Sequence, residues 1–164
     1  MLTQEENKRL TEVSRGTPTG ELLRRCWLPV AGTAELDDEP TKAVRLLGED
    51  LVLYRDLEGG LGLLGLQCPH RKASLEYGVP ERNGLRCCYH GWLFDRQGRC
   101  LEQPAEPPES TFKDRVLHRA YPVEELGGLV WAYLGPDPAP LLPRYDVFVW
   151  DDAIRDIGWA EIPC

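Results

Sequence analysis

Two short motifs place the strongest constraint on how this 164-residue chain can fold. The first pairs Cys68 with His70, and the second pairs Cys87 with His90; sixteen residues, 71 to 86, separate the motifs. Thiolates and imidazoles delivered in such pairs are typical metal ligands, unlike the Ser, His and Asp of a hydrolytic triad. The fold must therefore bring two separate loops together around one metal centre, which we predict to be held by these four side chains.

The same four side chains suit two kinds of metal centre. A tetrahedral zinc site accepts two Cys and two His, but its usual sequence pattern pairs Cys with Cys and His with His. Here each loop supplies one of each, an arrangement that gives each loop a hold on both irons of a 2Fe–2S cluster with two Cys and two His ligands. The spacing favours the cluster, and a zinc-stabilised structural module is the weaker alternative.

Further runs of sequence extend the pattern beyond the four ligands. The second motif continues into Gly91-Trp92, and Gly- and Pro-containing runs lie at 16–31, 106–110 and 127–131. Together they resemble the Rieske domain of aromatic-ring oxygenase large subunits, in the phthalate dioxygenase-like branch. One departure is Lys72, where this family usually carries a small residue such as Gly.

The resemblance implies a fold and a cofactor. The fold would be mainly β, an antiparallel Rieske-type sandwich with two cluster-binding hairpin loops and a short N-terminal helical extension. The cofactor would be a Rieske-type 2Fe–2S cluster. Cys68 and Cys87 would bind one of its irons as thiolates, and His70 and His90 would bind the other through a ring nitrogen.

The resemblance also implies an electron-transfer function. A flavin and iron–sulfur reductase would supply electrons, and a mononuclear non-haem Fe(II) site would receive them in a homotrimer of the full-length oxidoreductase. Such an iron takes two His and a carboxylate, and only His118 remains once His70 and His90 are assigned. We therefore expect that site in a missing catalytic domain and no catalytic residue in this chain. The alternative is a stand-alone Rieske ferredoxin.

Composition narrows the possible partners. The net charge of −8 and the sequence pI of about 4.9 argue against binding to nucleic acid or to an anionic membrane surface. No apolar run approaches the roughly 18 residues of a membrane span, and the polar start lacks a secretory signal. These features predict a cytoplasmic protein, in which Cys26, Cys88, Cys100 and Cys164 are reduced, small buried side chains.

The pattern along the chain predicts three segments. Residues 1–26 form the helical extension, where Thr3 and Glu6 make a capping box and Thr17-Pro18 starts a second helix. Residues 27–135 form the Rieske domain, with turns at 48–50, Asn83-Gly84 and 96–98 and one strand over 116–123 that leaves His118 exposed. Residues 136–164 form a linker and the start of the missing domain.

Overall fold

The computed structural model describes residues 1–152 and 154–158 of the chain. Every strand pair in this part is antiparallel, and the described α-helices are four to eight residues long, which confirms the mainly β class. The strands are β1 Trp27–Gly32, β2 Thr41–Leu46, β3 Glu49–Arg55, β4 Leu61–Gly65, β5 Val79–Glu81, β6 Gly84–Arg86, β7 Leu93–Phe94, β8 Cys100–Glu102, β9 Ala120–Tyr121, β10 Val123–Leu126 and β11 Leu129–Tyr133. The helices are α1 Gln4–Thr11, α2 Pro18–Arg24, α3 Glu35–Asp38 and α4 Asp146–Val149. In the described part, none of them has the length and apolarity to cross a membrane.

Three sheets divide the interior into layers. Their strand orders are β1-β11-β10, β2-β3-β4-β9 and β5-β6-β7-β8. Strand β3 lies at the centre because both of its faces are buried: Leu51 and Leu53 pack towards the first sheet, and Val52 and Tyr54 pack towards the third. Successive side chains of a strand point to opposite faces, so one strand serves two cores. The core on the third-sheet side contains both predicted cysteine ligands.

The N-terminal extension forms as the sequence predicts. The Thr3 hydroxyl accepts the amide of Glu6, and the Glu6 carboxylate accepts the amide of Thr3, so the capping box is complete. Helix α2 starts after Thr17 with Pro18 in its first turn. At the end of α2, Arg24 is buried and bonds to Glu49 at the start of β3. The extension is therefore joined to the central sheet by a buried ion pair.

Two hairpin turns lie one residue earlier than the sequence predicts. Leu46 pairs with Glu49, so the β2–β3 loop is Leu47-Gly48, and both residues have positive φ angles of 48° and 77°. In the β5–β6 hairpin Glu81 pairs with Gly84, which makes Gly84 a strand residue. Glycine is required here because the backbones of Gly84 and Phe94 lie close together: a Cβ on residue 84 would clash with the Phe94 carbonyl oxygen.

The prediction of one strand over residues 116–123 is wrong. Leu117 makes only an isolated bridge to Arg99, and separate strands β9 and β10 follow. Burial alternates regularly through residues 116–120, but in the opposite phase to the expected one, so Leu117 is exposed and His118 is buried. The His118 Nε2 atom lies 2.7 Å from the Gly65 carbonyl oxygen, and its ring packs 5.3 Å from that of Phe94. The prediction of an exposed His118 is therefore also wrong.

The remaining cysteines follow the prediction only in part. Cys100 is buried, but Cys26 and Cys88 are exposed, contrary to expectation, and Cys164 lies outside the described residues. Exposure is possible because Cys26 follows the end of α2 and Cys88 lies on the outer side of the second ligand loop. The described cysteines are all free thiols.

Residues 136–149 pack back onto the β domain. The Trp27 indole donates to the Pro140 carbonyl oxygen at 2.8 Å, and the Phe148 ring on α4 packs edge-to-face on Trp131 at 5.3 Å. Leu142 completes this small third core. The boundary after residue 135 stays a prediction.

Candidate metal centre

The two ligand motifs occupy two loops that meet at one end of the third sheet. Loop 1, residues 68–72, follows β4 and leads to a 3₁₀ turn at Leu75–Tyr77. Loop 2, residues 87–91, connects β6 to β7 as a hairpin. The structure brings all four predicted ligands together: the cysteines in the core below and the histidine rings beside each other above.

The backbones of the two loops make the same turn. In loop 1 the Cys68 amide donates to the Ala73 carbonyl oxygen at 2.9 Å, and the Lys72 amide donates to the Cys68 carbonyl oxygen at 2.9 Å. In loop 2 the Cys87 amide donates to the Trp92 carbonyl oxygen at 2.8 Å, and the Gly91 amide donates to the Cys87 carbonyl oxygen at 3.0 Å. In each loop the backbone of the cysteine is therefore bonded to the fourth and fifth residues after it, which closes the turn.

This shared turn explains why a small residue such as Gly suits the position that Lys72 occupies. The last residue of each loop has a left-handed backbone, with φ of 59° at Lys72 and 73° at Gly91. Glycine adopts this conformation at no steric cost, whereas a residue with a Cβ pays for it. Lys72 therefore occupies a position that the backbone geometry favours for glycine.

The two cysteine thiols form a buried pair. Cys68 and Cys87 are only 1% and 2% exposed. Burial raises the pKa of the Cys68 thiol to about 11; the backbone amides of His70 and Arg71 act in the opposite direction, and the Cys87 thiol beside it raises the pKa further. A thiol that burial keeps protonated becomes a thiolate when a metal cation replaces the proton. The amides directed at the Cys68 sulfur are suitably placed to stabilise that thiolate.

The two imidazoles form a half-buried pair. The His70 and His90 ring centroids are 4.6 Å apart. The Nδ1 atom of His70 is buried and has no hydrogen-bond partner among the described residues. Burial lowers the pKa of His70, and the positive charges of His90 and Arg71 lower it further, which favours the neutral ring that binds metals. An unpartnered buried nitrogen on a neutral ring is the condition expected of a metal ligand.

This donor set fits a binuclear cluster better than a single ion. Within residues 1–152 and 154–158, no group of three or more His, Cys, Asp or Glu side chains converges closely enough to hold one metal ion. A mononuclear zinc site would need four such donors at one point. Two buried sulfurs and two imidazoles, separated into pairs, match the ligation of a 2Fe–2S cluster with one Cys-bound and one His-bound iron.

Aromatic side chains cover the histidine side of the centre. Trp92 stacks on His70 with ring centroids 4.5 Å apart and planes 2° from parallel. Phe112 packs edge-on against Trp92 at 5.9 Å, and the Tyr89 ring lies 3.8 Å from that of His90. Trp92 is buried and covers the His70 ring. Phe112 lies in a proline-rich stretch with no strand pattern, so the sequence does not predict its contact with Trp92.

Known proteins match the chain closely. A family model described as the Rieske [2Fe-2S] domain matches residues 26–130. The chain is 52% identical over its full length to the 5,5'-dehydrodivanillate O-demethylase oxygenase subunit of Sphingobium sp. strain SYK-6, covering 39% of that subunit. It is 44% identical, again over its full length, to the phthalate 4,5-dioxygenase oxygenase subunit of Pseudomonas putida, covering 38% of it.

A solved structure agrees with these sequence matches. The reduced complex between oxygenase and ferredoxin in carbazole 1,9a-dioxygenase contains a chain that is 31% identical with a TM-score of 0.63. The match covers 73% of this chain and 31% of that one. The present chain thus spans about two fifths of the length of the curated relatives it matches.

Proposed function

Because this chain belongs to the Rieske [2Fe-2S] domain family, we propose that Cys68, His70, Cys87 and His90 hold a 2Fe–2S cluster and make the chain an electron-transfer domain. The observation that carries this proposal is the arrangement of the donors. A buried thiol pair and a half-buried imidazole pair lie on two loops of matching backbone, and the buried Nδ1 of His70 lacks any other partner.

The two cysteines retain the cluster, and the two histidines serve electron exchange. When bound, the cluster supplies one-electron redox chemistry at a potential raised by its two neutral ligands. Cys68 and Cys87 anchor the cluster in the apolar core, which excludes water. His70 and His90 are half-buried and close to the surface, so they provide the shortest route for an electron to enter or leave.

In the whole protein we place this chain as the electron-accepting domain of an aromatic-ring oxygenase, an oxidoreductase that acts as a hydroxylating dioxygenase or O-demethylase. Similarity over the full chain to oxygenase subunits supports this role. A flavin and iron–sulfur reductase would donate electrons, and a mononuclear iron elsewhere in a homotrimeric oxygenase would receive them. We assign residues 1–26 to an extension, 27–135 to the Rieske domain and 136–164 to a linker into the catalytic domain.

Surface charge supports an acidic electron donor. Arg71, Lys72 and Arg119 are exposed on a chain whose net charge is −8, and of these Arg119 is paired with Glu49. Arg71 lies close enough to His70, and Lys72 and Arg119 close enough to His118, to lower the pKa values of those rings. A basic area beside loop 1 would steer an acidic redox protein towards the histidine ligands.

Metal analysis with spectroscopy tests the assignment. The purified protein should contain two irons and two acid-labile sulfides per chain. Its reduced form should give an EPR signal with nitrogen couplings from two imidazoles. His90→Ala should remove the His90 nitrogen coupling, with or without loss of the cluster, while the matched variant His118→Gln should leave both couplings intact. Zinc in place of iron, or nitrogen couplings that survive His90→Ala unchanged, would refute the proposal.

A further inference from the structure

Arg86 makes a network of contacts directly beside the second ligand loop. It is the last residue of β6 and precedes Cys87. Its guanidinium bonds to both oxygens of Glu81, with Nη2 to Oε2 at 3.0 Å, and to Glu102 Oε2 at 2.6 Å. Its Nη1 atom donates to the Gly91 carbonyl oxygen at 2.6 Å. One side chain therefore ties β5 and β8 to the end of loop 2.

The bond to Gly91 fixes a part of the loop that the backbone turn leaves free. The Gly91 amide already donates to the Cys87 carbonyl oxygen, but the Gly91 carbonyl oxygen takes no part in the two backbone bonds that close the turn. Gly91 is left-handed, and its Cα side packs close to the Pro104 ring, 3.1 Å from where a Cβ would lie. Arg86 holds the carbonyl oxygen, and Pro104 limits the space beside the Gly91 Cα.

The two loops differ at this point although their backbones match. The residue equivalent to Arg86 in loop 1 is Gln67, which is exposed and pairs through its backbone with Ser74. In the described part of the chain, no side chain donates to the Lys72 carbonyl oxygen, the equivalent of the Gly91 carbonyl. Loop 1 is instead held by the stacking of Trp92 on His70. A guanidinium support is thus specific to loop 2.

We propose that Arg86 is a positioning residue for the metal centre, an inference that rests on the proposed cluster. By fixing the Gly91 carbonyl, it restricts the backbone of Gly91, the residue next to His90, and hence the position from which the His90 ring leaves the loop. The two carboxylates of Glu81 and Glu102 keep the guanidinium in one orientation, because a forked bidentate pair leaves it little freedom. Arg86 thereby slows cluster loss and defines the electronic environment of the histidine-bound iron.

The test compares Arg86→Lys and Arg86→Gln with the wild-type protein after iron and sulfide reconstitution. Lysine keeps the charge but is a single point donor that cannot bridge Glu81, Glu102 and Gly91 together. Iron loss to a chelator should become about tenfold faster in both variants, a factor that corresponds to about 1.4 kcal/mol. The EPR line shape and the nitrogen coupling assigned to His90 should also change. Arg45→Gln, at an exposed pair with Asp50, is the matched control and should change neither.

The outcomes separate this inference from the proposed function. A wild-type protein that binds no cluster refutes both. A wild-type cluster with Arg86 variants of unchanged loss rate and spectrum refutes only the role of Arg86. Lower thermal stability with an unchanged spectrum would also overturn it, since that pattern indicates a purely structural ion pair. If Arg86→Gln does not fold, Glu102→Gln, which leaves the Glu81 pair in place, is expected to give a smaller change in the same two measurements, and no change there refutes the inference.

Discussion

Glu49 lies outside the metal centre, and its replacement should cost the fold much of its stability. Its Oε1 atom accepts Arg24 Nη2 at 2.8 Å, and its Oε2 atom accepts Arg119 Nη1 at 2.8 Å and the Tyr121 hydroxyl at 2.6 Å. Arg15 lies 3.5 Å from Oε1. The side chains of Glu49 and Arg24 are 8% and 3% exposed, so neither charge can be solvated when the other is removed.

The expected magnitude for Glu49→Gln follows from this burial. Removing one partner of a buried ion pair leaves an uncompensated charge and typically costs about 3–5 kcal/mol. For a domain of this size, one kcal/mol corresponds to about 2–4 °C in melting temperature. The variant should therefore melt roughly 6–20 °C below the wild-type protein. Chemical denaturation at neutral pH gives the free energy of unfolding directly.

The next residue on the strand provides a matched control. Asp50 pairs with Arg45 at 2.9 Å, but the side chains are 54% and 72% exposed. Surface ion pairs contribute about 0–1 kcal/mol, so Asp50→Asn should have little effect. If Glu49→Gln costs no more than Asp50→Asn, the argument from buried charge is wrong.

The effect of Glu49 should also depend on pH. Burial raises the pKa of this carboxyl, but the hydrogen bonds from Tyr121 and Arg24 and the charges of Arg119 and Arg15 outweigh it, so the net pKa lies below the usual 4.5. A depressed pKa stabilises the fold above pH 4.5, and this contribution is lost as the pH falls through the folded-state value. The penalty of Glu49→Gln should therefore shrink in acid. A penalty that is independent of pH would contradict the charge argument.

Three further predictions concern the surroundings of the metal centre. Lys72→Gly should raise the free energy of unfolding by about 0.5–1 kcal/mol, because it relieves the left-handed backbone at φ 59°; a lower midpoint in denaturant would contradict this. Burial lowers the pKa of His118 below 6.5, with Lys72 and Arg119 adding to the shift and the Gly65 carbonyl opposing it. Stability should therefore be full above about pH 6.5 and fall by up to about 1.4 kcal/mol per pH unit below it, and His118→Gln should flatten this slope in denaturation curves. The midpoint reduction potential of the cluster should be near roughly −150 mV, since Ala73 and Trp92 offer no hydroxyl donor to the sulfurs. A potential well above zero in a redox titration would contradict this prediction.

The sequence predicts local features better than long-range ones. The capping box at Thr3 and the ligand pairs depend on residues close in sequence, and the structure contains both arrangements. The turn at Leu47 was missed because a bulky residue rarely adopts a positive φ, and the hairpin register imposes it here. Burial of His118 depends on Gly65, which is 53 residues away. No periodicity within one segment can reveal such a contact.

The metal centre also depends on long-range contacts that the sequence does not predict. Its two loops share a backbone turn but differ in sequence. The histidine is two residues after Cys68 in loop 1 and three residues after Cys87 in loop 2. The rings therefore leave the matching turns from different positions and need different supports. His70 stacks on Trp92, which follows loop 2, and Gly91 is held by Arg86, which precedes it. Since His70 stacks on a residue of the second motif, this contact joins the two loops. The unequal spacing of the two motifs is visible in the sequence, but the different contacts that hold the two histidine loops appear only in three dimensions.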